Sequence, residues 1–344
     1  MNPEKLIEQL NSDQFSAVIG LIVGLLFGIF AQQSQFCLRA ACIEFWRKNI
    51  GSKFAIWLLA FSGALILTQL SIENGVIDTG NIRQLNSTGS MSGAIIGGLL
   101  FGSGMILARG CASRLLVLSA TGNMRALISG LVVTIVAQAS LRGVLSPARE
   151  ELSSFWLLEA HERSFSHLLP SYGGLILGIL LLGLGLFYAI KFSLNRKIAW
   201  MAFFTGCCVA LGWVLTSWQA DNSFEIVAVK SISFTGPSAD TLMGLINSPL
   251  IHFSFDIGLV PGVFIGSFVA AILTKQFHWQ QFTQETKQAR YLVGASMMGF
   301  GSMLAGGCAV GAGVTGGSVL ALSAWIALLC MWLSAGITDW LVDR

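Results

Sequence analysis

The chain has 344 residues, of which 54% are hydrophobic and only 11% charged, with a formal net charge of +3. A soluble domain carries about 25% charged residues, so this composition excludes an ordinary soluble protein, and the lack of a basic run argues against a nucleic-acid partner. The apolar residues come in runs rather than alternating, which argues against a water-filled β-barrel and leaves an all-α integral membrane protein whose surroundings are the lipid bilayer.

Taken in chain order, the first fourteen residues are polar with an apolar stripe and lack the basic segment and cleavage site of a signal peptide. The run from Ser16 to Ala31 is therefore read as a retained span. Apolar runs that could cross, wholly or in part, lie near 16–36, 54–70, 91–108, 126–140, 171–190, 198–218, 257–274, 291–305 and 318–336. About nine spanning or half-spanning helices are expected. Between Arg39 and Lys53 there are four basic residues and one acidic; Lys191 to Lys197 and Lys275 to Arg290 hold three basic residues each. The stretches 71–90 and 219–256 hold one basic residue each against two and four acidic ones. By the positive-inside rule the amino terminus is expected outside and the carboxyl terminus inside.

An internal repeat organises these runs. Gly97 to Ala112 (GGLLFGSGMILARGCA) lies over Gly294 to Ala309 (GASMMGFGSMLAGGCA) at a shift of 197 residues, with 8 of 16 positions identical, Cys111 over Cys308 among them. A weaker copy at a shift of 74 places GLLFG (Gly24 to Gly28) over Gly98 to Gly102 and Cys37 over Cys111. On the span count, the copies ending at Cys111 and Cys308 run in opposite directions. That predicts an inverted internal repeat with re-entrant cysteine loops, in which paired broken helices meet near the midplane. The chain is expected to be a single transmembrane transport domain over 1–344, with repeat halves at roughly 16–140 and 171–336 joined by 141–170.

The loops suggest a chemistry. Gly110, Gly306 and Gly307 precede their cysteines and permit close-approach backbone whose N–H groups can face an anion. A dehydrated anion needs donors along its whole path, and helix amino termini supply them without a mobile charge. A thiol adds a polarizable sulfur and a weak S–H donor, which suits an anion with a soft sulfur atom.

FCLRAA (Phe36 to Ala41), LARGCA (Leu107 to Ala112) and LAGGCAVGAG (Leu304 to Gly313) resemble the three cysteine motifs of the YeeE/YedE family of bacterial integral membrane proteins, which includes thiosulfate importers. The resemblance covers the whole chain. It implies import of thiosulfate or a related small sulfur-containing anion across the bacterial inner membrane, with Cys37, Cys111 and Cys308 lining the path and no covalent chemistry. It also implies a separate small cytoplasmic sulfur-carrier protein as a partner. Two departures stand out: Arg109 occupies the place of the first glycine of the usual Gly-Gly-Cys, and Arg114 follows Cys111 by three residues. These two arginines either attract a divalent anion to the path or anchor a cytoplasmic loop. Transport of a selenium or other soft sulfur compound, and a membrane thiol sulfurtransferase, stay open as alternatives. Against the enzyme, no general base accompanies any of the three cysteines.

The remaining residues are read as structural. Cys42, Cys207, Cys208 and Cys330 are packing thiols, and seven cysteines without a C-x-x-C pair indicate neither disulfides nor zinc. His161, His167, His252 and His278 share no metal-ligand spacing, so neither metal nor cofactor is expected. Glu44 is read as the ion-pair partner of Arg39, Arg47 and Lys48, Asp256 as a helix-boundary residue or a proton site, and Trp46, Trp57, Trp218 and Trp340 as interfacial belts.

Overall fold

The computed structural model describes residues 11–159, 163–165, 172–223, 225, 227–247, 253–280 and 288–343. His161, His167 and His252 lie outside the described residues. In hydrocarbon every backbone N–H and C=O must be paired within its own segment, which makes the long apolar runs helical. The helices that build the bundle are α1 (Ser12–Ser34), α2 (Leu38–Trp46), α3 (Ser52–Glu73), α4 (Met91–Leu107), α5 (Ala112–Ala120) and α6 (Met124–Arg142) in the first part of the chain, with shorter helices at Arg83–Asn86 and Ser146–Ser154. They are followed by α7 (Gly173–Lys191), α8 (Arg196–Asn222), α9 (Thr235–Asn247), α10 (Phe255–Leu273), α11 (Gln288–Leu304) and α12 (Leu322–Val342). A π-turn, Ala309–Thr315, stands between α11 and α12. Strand is confined, among the described residues, to the two-residue pairing of Gly89–Ser90 with Leu157–Leu158. Eight helical spans are long and apolar enough to cross a membrane, or nine when α11 and the segment to Ser318, bent by 40°, count as one. The chain is a multi-pass all-α membrane protein.

Glycine sets how the helices pack. Helices in lipid gain nothing from hiding apolar surface from one another, so close backbone contact carries their association. On α1 and α10 the contacts climb together: a Cβ on Gly20, Gly24 or Gly28 would meet Phe255, Leu259 and Val263 respectively, so the two helices are parallel. On α4 and α11 they run oppositely, with Gly97 against Gly301 and Gly104 against Gly294, so the two best copies of the repeat pack face to face and antiparallel. Their bounds are displaced by the same 197 residues at both ends. The first residue of α2, Leu38, is displaced by that number from the first residue of α9, Thr235.

The two ends of the bundle differ. At the basic end Arg47 pairs with Asp339 and Arg290 with Asp343, each at 2.8 Å. The Arg290 guanidinium holds the Asp343 carboxyl below the usual carboxylate range. At the opposite end Arg163 donates to Ser87, its carbonyl accepts from Leu322 N, and the Ser90 and Ser92 hydroxyls donate to backbone carbonyls at Leu152 and Ser153.

Two structural readings change. The Glu44 carboxylate accepts from the backbone N–H groups of Gly51 and Phe54, at 3.0 and 2.8 Å, and so caps the start of α3; Arg47 is held by Asp339 instead. Trp57 is buried and stacked on Phe61, so it belongs to the interior rather than to a belt, whereas Trp340 is exposed. Asp256 opens α10 and pairs with Lys230, as a helix-boundary residue would.

Candidate functional site

Each of the three cysteines stands where a helix breaks and restarts. The chain leaves the first helix through a residue in the left-handed region, two places before the cysteine: Gln35 (φ 54°), Arg109 (φ 56°) and Gly306 (φ 78°). The cysteine itself is extended and occupies the N-cap: Cys37 before α2, Cys111 before α5 and Cys308 before the π-turn. The first-turn N–H groups of the new helix, unpaired within it, point back at the break and carry the positive end of its dipole.

This geometry explains both the glycine of the usual motif and the cost of replacing it. A non-glycine residue in the left-handed region costs about 1 kcal/mol or more. Arg109→Gly is accordingly expected to raise the melting temperature of the detergent-solubilised protein, and Gly306→Ala to lower it although no atom lies within 4 Å of the added Cβ. Thermal unfolding of the two variants side by side checks the signs.

The half-helices converge on the interior from both ends. After α5, the carbonyls of Thr121 and Gly122 accept from His278 and Gln280, so α5 runs from Cys111 to the basic end. The helix α2 runs from Cys37 to the same end, where Arg47 meets Asp339. The π-turn runs the other way, since the residues after it bond Phe165 and Arg163 at the opposite end.

Cys37, Cys111 and Arg114 are brought together. The Cys37 and Cys111 thiols lie near enough to each other to interact, and the guanidinium groups of Arg114 and Arg39 lie near enough to act electrostatically on Cys37. Cys111 Sγ also lies 3.3 Å from Ser113 Oγ. All seven cysteines are free thiols. Arg39 Nε and Arg114 Nη1 are buried and find no acceptor among the described residues, nor does the buried Gln32 Oε1 find a donor. Burying a charged donor without an acceptor is costly, and an anion is the kind of group that would satisfy the two guanidinium donors. Lys53 adds a further cation, its Nζ donating to Gln35 Oε1 at 2.7 Å.

Arg109 and Cys308 are placed differently. Arg109 is exposed on its left-handed turn, near enough for its charge to act on Arg39 and Asp343. Cys308 is buried; its sulfur accepts from Gly311 N at 3.4 Å. Its turn leans on the segment before α9, with Thr315 Oγ1 donating to the Ile232 carbonyl at 2.6 Å. Gly110 is buried against Leu115, and a Cβ on Gly307 would sit 2.7 Å from Ala312 N, so both hold the breaks close. Cys42 and Cys208 are buried packing residues.

Sequence reasoning missed Arg39, Lys53 and Ser113. Arg39 was within reach of it, because it sits two residues after Cys37 inside the motif itself. Its charge reads first as a loop anchor, and only the fold turns it toward the thiols.

Fold and site together define a multi-pass all-α membrane protein whose interior is built from helices broken at cysteine-capped turns. The profile of the sulphur transport family matches residues 33–337, a stretch that takes in all three breaks. The chain belongs to this family, also called YeeE/YedE. Thiosulfate transporter TsuA of Spirochaeta thermophila is 29% identical over 345 residues, covering 94% of this chain and 98% of that one. Thiosulfate transporter TsuA of Escherichia coli is 25% identical over 348 residues, covering 95% of each chain. Family and relatives alike are named for transport rather than catalysis.

Proposed function

We propose that this protein is an inner-membrane importer of thiosulfate or a closely related sulfur anion, which passes the Cys308 turn, reaches the paired thiols of Cys37 and Cys111, and leaves at the basic end. The observation that carries the reading is the second station: two neighbouring thiols at helix amino termini, with buried guanidinium nitrogens of Arg39 and Arg114 nearby that lack an acceptor among the described residues. Guanidinium and N–H groups match the oxygens of such an anion, and thiols match its terminal sulfur, with no bond made or broken. The names of the two relatives point to the same substrate.

Orientation follows from charge. Arg47, Lys48, Lys275 and Arg290 lie at one end, which the positive-inside rule assigns to the cytoplasm, with the carboxyl terminus there and the amino terminus outside. The helices displaced by 197 residues are read as inverted halves of one transport domain. A separate small sulfur-carrier protein would take the anion at the basic end.

Growth tests this reading. In a host lacking its own uptake route, the wild-type chain is expected to support growth on thiosulfate as sole sulfur source, while Cys111→Ala and Cys308→Ala insert normally and fail to do so. Undiminished growth of both variants would sink the thiol path. Intact-mass measurement after exposure to thiosulfate is expected to show no persulfide; a stable one on Cys111 would favour the sulfurtransferase.

A further inference from the structure

We propose that Phe234 is the specificity-determining residue of this path, an aromatic constriction standing where the internal repeat would place a fourth thiol; the inference rests on reading the cysteine breaks as a path for a sulfur anion. The displacement of 197 residues that carries Cys111 onto Cys308 carries Cys37 onto Phe234. The correspondence extends to structure: α2 starts immediately after Cys37 and α9 immediately after Phe234, whose carbonyl accepts from Ser238 N at 2.8 Å in the first turn of the helix. Phe234 thus holds the N-cap place of a fourth half-helix.

Its neighbours relate it to both thiol turns. Phe234 is fully buried, with its ring centroid 5.3 Å from that of Phe27. It lines one cavity with Ala112, the residue after Cys111. Ser233 packs on the Cys308 turn so closely that a Cβ on Gly311 would lie 2.3 Å from Ser233 Oγ, and Ile232 accepts from Thr315 on the same turn. One short segment therefore packs on the Cys308 turn and shares a cavity with the residue that follows Cys111.

An aromatic ring there discriminates by hydration. It offers no hydrogen bond to replace a lost water, so it opposes a tightly hydrated anion, as apolar constrictions in channels do. Its positive edge and its affinity for polarizable sulfur favour an anion that leads with a bare sulfur atom. Sulfate, with oxygen on every side, pays the full dehydration, whereas thiosulfate does not.

The test is initial uptake of labelled thiosulfate and labelled sulfate into proteoliposomes by wild type, Phe234→Ala and Phe234→Leu. Phe234→Ala is expected to lower the thiosulfate-to-sulfate ratio about tenfold or more, and Phe234→Leu, which keeps apolar bulk, to hold it within about threefold. A Phe234→Ala protein that keeps the wild-type ratio while both rates fall would reduce Phe234 to packing and overturn the proposal. Placement is tested without any substrate: Phe234→Cys, in chains keeping only Cys111 or only Cys308, is expected to be bridged by a short bifunctional thiol reagent, detected by peptide mass. Absence of a bridge to either cysteine in folded protein overturns the placement. A wild type that carries neither anion overturns the path reading, and the bridging result then separates that failure from a misplaced Phe234.

Discussion

Replacing both Arg39 and Arg114 with glutamine is expected to raise the half-saturating thiosulfate concentration about a thousandfold while leaving insertion intact. Truncating one partner of a buried, charge-assisted contact costs about 2 kcal/mol or more, and two such losses come to about three decades in affinity. The buried Arg39 Nε and Arg114 Nη1 are the donors concerned. The competing role, anchoring a cytoplasmic loop, depends on charge alone. The pair Arg39→Lys and Arg114→Lys separates the two, because lysine keeps the charge but loses the planar fork that grips oxyanions. The anion seat predicts that the lysine pair inserts normally and binds about tenfold more weakly or worse. An anchor predicts wild-type uptake.

Gly258→Leu is expected to disrupt the bundle itself. A Cβ at Gly258 would lie 1.9 Å from the Ala17 carbonyl oxygen, and the same seam brings Gly20 to 2.0 Å from the Phe255 carbonyl oxygen. Backbone faces backbone here, so no side chain can rotate away, and α1 must part from α10. Overpacking of this kind costs about 3 kcal/mol, and because α1 ends in the Cys37 break, the thiol seat would be displaced as well. Thermal melting and monodispersity in detergent, together with uptake, are expected to fall together. Gly183→Ala is the control: nothing lies within 4 Å of its added Cβ, so it is expected to melt like wild type or slightly higher. Equal losses at both positions would show that glycine content, not the close seam, matters.

The spans were legible in the sequence because hydrocarbon demands long apolar helices, and the runs near 91–108 and 291–305 fall on α4 and α11. The cysteine breaks were legible as well, since the repeat is strongest over the turns, where helix composition has no say. Other features were not. The segment Ser231 to Asp240 (SISFTGPSAD) is polar and carries a proline, so it reads as a loop; its burial depends on Thr315, Gly311 and Phe27, all remote in sequence. Glu44 lies among basic residues and reads as their partner, yet the start of α3 offers it two unpaired N–H groups. The nearness of Cys37 to Cys111 depends on how the helices on either side of the two breaks pack, which no spacing along the chain encodes.

The most direct measurement is the initial rate of labelled thiosulfate uptake into proteoliposomes by wild type and by a chain carrying Cys37→Ala, Cys111→Ala and Cys308→Ala together, both shown to be folded and equally inserted. The thiol path predicts saturable uptake by the wild type and none above empty liposomes for the triple variant. Wild-type uptake by the triple variant would contradict it.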